Sequence, residues 1–195
     1  MAGMKLWLVR HARTDAAPGL CYGATDVCAP AEATRAVARA VASRLPESAA
    51  LVHSPLRRCA ELAHAIAELR PGLAPRADPR IAEMDFGAWE GRPWSSIARA
   101  EFDAWTGSFA DARAGGHGES TDAFMQRIGA AYDAWRASGQ DAVWITHAGV
   151  MRAARLLHQG VRRVAHAAQW PAAPIDYGAC ELIECGQQQT THGAP

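Results

Sequence analysis

In the segment LVRHART (residues 8–14), Arg10, His11, Arg13 and Thr14 stand directly after a short apolar run. Backbone amides and side chains at the end of a buried strand can converge on one anion, and phosphate is the anion that two arginines and a histidine suit best. A neutral imidazole is a fair nucleophile, and the charge of Arg10 beside His11 is expected to lower its pKa by like-charge repulsion. Two further segments repeat the placement, and a third adds carboxylates. HSPLRRCAELA (53–63) follows a second apolar run and offers Arg58 near a helix start, whereas Arg57 reads as a solvated surface residue. THAGVMR (146–152) places His147 after another apolar run, where it can donate to a phosphate oxygen. EMDFGAWEG (83–91) sets Glu83 beside Met84, Phe86 and Trp89, an apolar setting expected to raise a carboxyl pKa toward neutrality and so make a proton donor. Asp85 and Glu90 share that loop, and spacing alone does not choose among the three carboxylates.

These residues need elements to hold them. Met4 to Arg10 reads as a strand buried on both faces, and a loop with Pro18, Gly19, Gly23 and Pro30 leads to a helix over Ala31–Leu45. Ala49 to His53 reads as a second strand, followed by a helix that Ser54 caps and that runs to Leu69 with Pro55 in its first turn. A short strand near Arg76, an irregular functional loop over Ile81–Pro93, short helices over Trp94–Trp105 and a long helix over Thr121–Ala137 come next. Asp141 to Thr146, a helix over Val150–His158 and a last strand over Tyr177–Cys185 complete the series. Strands alternating with helices predict an α/β fold, a three-layer α/β/α sandwich with a mostly parallel sheet and ligands beyond the strands' carboxyl ends. One domain over 1–185 is expected, with 186–195 a disordered tail.

Composition narrows the function classes. The chain has 195 residues with 20 basic and 20 acidic side chains, so no charge surplus drives binding to nucleic acid or to an anionic membrane surface. The apolar stretch Leu6–Val9 is too short for a signal peptide and nothing longer follows, so no membrane span is expected. The five cysteines are odd in number and form no C-x-x-C pair, which fits reduced thiols in the cytoplasm. Trp89, Trp94 and Trp105 read first as core residues, with stacking on a substrate ring as the alternative.

Taken in order, LVRHART, SPLRR, EMDFGAWEG, GES and THAGV resemble the histidine phosphatase (phosphoglycerate mutase-like) superfamily across nearly the whole chain. The resemblance implies a phosphoglycerate mutase-like fold, phosphorylation of His11, phosphoryl binding by Arg10, Arg58 and His147, and Glu83 as the proton donor. Thr14 matches the first motif, and Glu119 and Ser120 match a GES that lies at the pocket mouth. No cofactor or metal is implied, and the partner is a small-molecule phosphate ester, acted on by a monomer or homodimer. Ala12 stands where the family has glycine; if that position needs a positive φ or a close backbone approach, alanine costs about 1 kcal/mol. Within the superfamily GLCYGATDV (19–27), with Tyr22 and Gly23, is similar to the corresponding loop of alpha-ribazole phosphatases of cobalamin biosynthesis. A mutase, a metal site built from His11, Glu83, Asp85 and His147, and a phosphate-binding module without turnover are the alternatives. Catalysis by His11 and Glu83 predicts a bell-shaped pH profile.

Overall fold

The computed structural model describes residues 3–186. The tail expected over 186–195 therefore lies, past Gly186, outside the described residues. Five strands, β1 (Met4–Arg10), β2 (Ala50–His53), β3 (Pro75–Ala77), β4 (Ala142–Thr146) and β5 (Cys180–Cys185), form one sheet in the order β3-β2-β4-β1-β5. All neighbours run parallel except β5, which lies antiparallel on β1. The pairing of Arg10 with Thr146 brings the carboxyl ends of β1 and β4 level, so His11 and His147 leave the sheet side by side.

Helices α1 (Ala31–Ala42) and α2 (Arg57–Leu69) cover one face, and α4 (Thr121–Ser138) and α5 (Ala148–His158) the other; α3 (Arg99–Gly107) shares a cavity wall with α4 and α5. Alternation along β1 divides the core between the two faces, since side chains of a strand point up and down in turn. Leu6 and Leu8 pack with Phe124, Ile128, Val150 and Leu157, while Val9 packs with Val41, Leu62 and Ile66. Phe124, Ile128, Ala131 and Trp135, the stripe expected on α4, are all buried.

Several boundaries differ from expectation for local reasons. Helix α1 stops at Ala42, before Pro46, although Leu45 still enters the core. Helix α2 starts at Arg57 with Leu56 as its N-cap, so Ser54 does not cap it. The last strand starts at Cys180, because Gly178 turns the chain at φ 73° and leaves Tyr177 in a loop. The 81–93 loop begins at the end of one 3₁₀ turn, Pro79–Ile81, and contains another, Gly87–Trp89.

Candidate active site

A cavity of about 500 Å³ opens over the ends of β1 and β4, lined by Arg10, His11, Thr14, Tyr22, Arg58, Glu83, His147 and Tyr177 among others. His11 is the residue after β1 and is nearly fully buried. Its Nδ1 lies 2.7 Å from the carbonyl oxygen of Ala12. A carbonyl only accepts, so Nδ1 carries the proton and donates, and the lone pair is left on Nε2. The His11 pKa is lowered to about 3, by burial first and by the Arg58 charge next; the Ala12 carbonyl opposes this and Arg10 contributes less. Arg10 does lower it by like-charge repulsion, as its place beside His11 suggests, but it is the smallest of these contributions. At neutral pH His11 is an uncharged imidazole, and its titration falls below any ordinary assay range, so it cannot supply one arm of a bell between pH 5 and 8.

Ala12 is fully buried, and no non-glycine residue among those described has a positive φ. The site therefore does not require glycine for backbone reasons. Gly23 is required on steric grounds: a Cβ there would fall 1.8 Å from the carbonyl oxygen of Met84.

Arg58 sits in the first turn of α2 and is completely buried. Its Nη2 donates to Gly23 O at 2.7 Å and its Nη1 to Thr25 O at 2.8 Å, while Nε has no protein partner. The 23–25 loop is itself held by Glu90, whose carboxylate accepts from the amides of Gly23, Ala24, Thr25 and Phe86 and from the Thr25 hydroxyl. Arg10 donates to the carbonyl of Ile175, lies 3.9 Å over the ring of Tyr177, and also keeps an unpartnered Nε.

His147, at the N-terminus of α5, has its ring centroid 5.2 Å from that of His11. Its Nε2 is 2.8 Å from Ser54 Oγ, and burial followed by the Arg58 charge holds its pKa well below the usual histidine range. Any hydrogen bond it offers an anion is that of a neutral ring. Thr14 donates to the Tyr22 hydroxyl at 3.1 Å, and Tyr22 and Tyr177 join through their hydroxyls at 2.8 Å.

The three carboxylates of the 83–91 loop separate clearly. Glu83 lines the cavity, Asp85 accepts from the amide of Gly87, and Glu90 is engaged with the 23–25 loop. Glu83 is not set among apolar groups alone, as its sequence neighbours suggest. Its Oε1 accepts from the Met84 amide and its Oε2 from the Gly149 amide in the first turn of α5, each at 3.1 Å. Arg127 fixes the backbone beneath it, donating to the carbonyls of Arg80, Ala82 and Glu83.

Glu119 and Ser120 are not among the residues that line this cavity. Glu119 pairs with Arg127 at 2.7 Å and accepts from the Asp85 amide, so it steadies the segment that carries Glu83. Ser120 caps α4 by accepting from the Ala123 amide. Tyr177 and Ser54 are the contributors that strand and cap assignments hid; the Pro174 and Gly178 flanking Tyr177 were the available sign of a loop. Trp89 is core, whereas Trp94 lines this cavity and Trp105 a second one. Among the described residues, no three His, Cys, Asp or Glu side chains gather closely enough to hold a metal ion, and no helix is long and apolar enough to cross a membrane. The arrangement can bind a dianion between Arg10 and Arg58, present Nε2 of a neutral imidazole to it, and hold a carboxyl group across the cavity.

The family model of the histidine phosphatase superfamily (branch 1) matches residues 6–191. Comparison with curated protein sequences gives no match. Among solved structures, TTHB049 from Thermus thermophilus is 30% identical with a TM-score of 0.68, over 92% of this chain and 93% of that one. A candidate alpha-ribazole-5′-P phosphatase from Escherichia coli gives a TM-score of 0.77 at 24% identity, over 95% and 92% of the two chains. A mycobacterial glucosyl-3-phosphoglycerate phosphatase in complex with VO3 gives 0.76 at 24% identity, over 92% and 90%. The last two are likenesses of fold.

Proposed function

This chain belongs to the histidine phosphatase superfamily, branch 1, and from that premise we propose that it is a metal-independent phosphomonoesterase working through a phosphohistidine at His11. The observation that carries the reading is the bond from His11 Nδ1 to the Ala12 carbonyl, which leaves Nε2 unprotonated and aimed by a neutral, buried ring. Nε2 attacks phosphorus in line, the ester P–O bond breaks, and the proton of the Glu83 carboxyl passes to the departing oxygen. Water then attacks the phosphohistidine; Glu83 takes its proton, the P–N bond breaks, and phosphate leaves with His11 restored. Charge on the transferring group is met by Arg10, Arg58, neutral His147 and nearby amides, in place from the start. Arginines at the same site disfavour a divalent cation.

For the physiological ester, the GLCYGATDV loop favours alpha-ribazole 5′-phosphate. Its Gly23 supplies an anchoring carbonyl to Arg58, and its Tyr22 lines the cavity. Phosphate release from para-nitrophenyl phosphate and alpha-ribazole 5′-phosphate with chelator present, wild type against His11→Ala, is the test. Turnover that survives His11→Ala, or that needs added metal, defeats the reading.

A further inference from the structure

A second cavity, of about 380 Å³, lies between α3, α4, α5 and the 167–172 segment, and shares Glu83 and Phe86 with the first. Its wall is aromatic. Trp105 meets Phe109 at 5.1 Å between ring centroids, Phe109 meets Trp170 at 6.2 Å, and Trp170 meets Phe124 at 6.3 Å. Such a wall suits a flat ring, because aromatic pairs gain from edge and offset contacts.

Three buried polar atoms of its lining residues are unpaired. Among the described residues six buried side-chain nitrogen or oxygen atoms lack a protein partner: Arg10 Nε and Arg58 Nε belong to residues lining the first cavity, while Trp105 Nε1, Thr121 Oγ1 and Arg152 Nε belong to residues lining the second. The sixth is Thr34 Oγ1. The contrast with other indoles is informative, since Trp89 Nε1 donates to Glu101 and Trp135 Nε1 to the Gln140 carbonyl. A buried donor without an acceptor is costly, and such atoms concentrate where a ligand completes them. The indole and guanidinium N–H groups only donate, so the missing group must present acceptors. Arg152 is already oriented by its bond to the Ala173 carbonyl at 3.0 Å.

Resting on the phosphatase reading, we propose that this second cavity receives the alcohol part of the substrate, and that this part carries a flat nitrogen-containing aromatic group whose acceptors meet Trp105 Nε1, Thr121 Oγ1 and Arg152 Nε. Glu83, common to both cavities, then stands at the bond between phosphoryl group and alcohol. The apolar walls supply binding energy, and the unpaired donors supply selection against esters that lack the ring.

The test compares kcat/KM for alpha-ribazole 5′-phosphate and adenosine 5′-monophosphate with that for ribose 5-phosphate, which offers the same primary phosphate without a ring. Wild type is expected to prefer at least one ring-bearing ester by about 10-fold or more. Trp105→Phe, which keeps a ring and removes the donor, and Thr121→Val, which keeps the shape, are each expected to cut that preference roughly 10-fold while ribose 5-phosphate stays within about twofold. Equal kcat/KM for all three esters in wild type, or a preference that both variants retain, overturns the subsite and leaves the phosphatase reading standing. Absence of phosphate release from every ester overturns both.

Discussion

Gly149→Ala tests the placement of Glu83 while leaving the carboxyl group itself chemically unchanged. The Gly149 amide holds Oε2 at 3.1 Å, and an added Cβ would fall 2.2 Å from Oε1 and 3.0 Å from Cδ. Ordinary contact begins at 3.4 Å, so the carboxyl must retreat by about 1 Å. A displacement of that size at a group that transfers a proton costs about 10²-fold, or 2.7 kcal/mol of barrier, within the 10²–10⁴ range of general acid catalysis. The assay is kcat/KM, which reports the step that expels the alcohol, on an alkyl phosphate and on para-nitrophenyl phosphate. The alkoxide needs the proton and the nitrophenolate does not, so the alkyl ester is expected to lose about 10²-fold and the aryl ester about 10-fold or less. Alanine favours a helix interior over glycine by up to about 1 kcal/mol, so a retained melting transition controls for folding. Equal losses on both esters, or no loss on either, would refute Glu83 as the acid.

Arg58→Lys removes the planar fork that spans Gly23 O and Thr25 O, and kcat/KM is expected to fall at least 10²-fold with an alkyl ester; full activity would remove Arg58 from phosphoryl binding. Glu90→Gln puts an amide NH₂ among the backbone donors of the 23–25 loop, so the urea midpoint should drop by the equivalent of about 2 kcal/mol and the loop should become sensitive to protease. Because the folded His11 pKa is about 3 against 6.5 unfolded, the unfolded chain binds a proton between those values that the native fold refuses. Stability from this source is complete above pH 6.5 and declines toward pH 3, by about 2 kcal/mol between pH 6.5 and 5, with His147 adding in the same direction. Urea titrations at those two pH values should show the decline and His11→Ala should reduce it; an unchanged slope would mean His11 is not buried neutral.

Strand ends carrying His11 and His147 were legible because buried parallel strands read as apolar runs and sites collect at their carboxyl ends. Arg58 and Glu83 were legible through their motifs. What the sequence concealed is side-chain direction. Glu83, Asp85 and Glu90 are equivalent as residue types within one irregular loop; only the amides that fold against each one separate them. Ser54 is as good a helix cap as any serine until β4 brings His147 beside it. The lowered His11 pKa comes chiefly from burial, which a neighbouring arginine in sequence does not reveal. The motif carrying Glu119 was visible, yet its carboxylate is taken by Arg127, eight residues further on in α4.

The most direct test of a phosphohistidine at His11 is to mix the protein with a ³²P-labelled phosphate ester, quench in alkali within the first turnovers and map the label. Alkali-stable, acid-labile phosphate on the peptide containing His11, absent from His11→Ala, is the predicted result. Phosphate released at the full rate with no labelled peptide, or label on any residue other than His11, would contradict it.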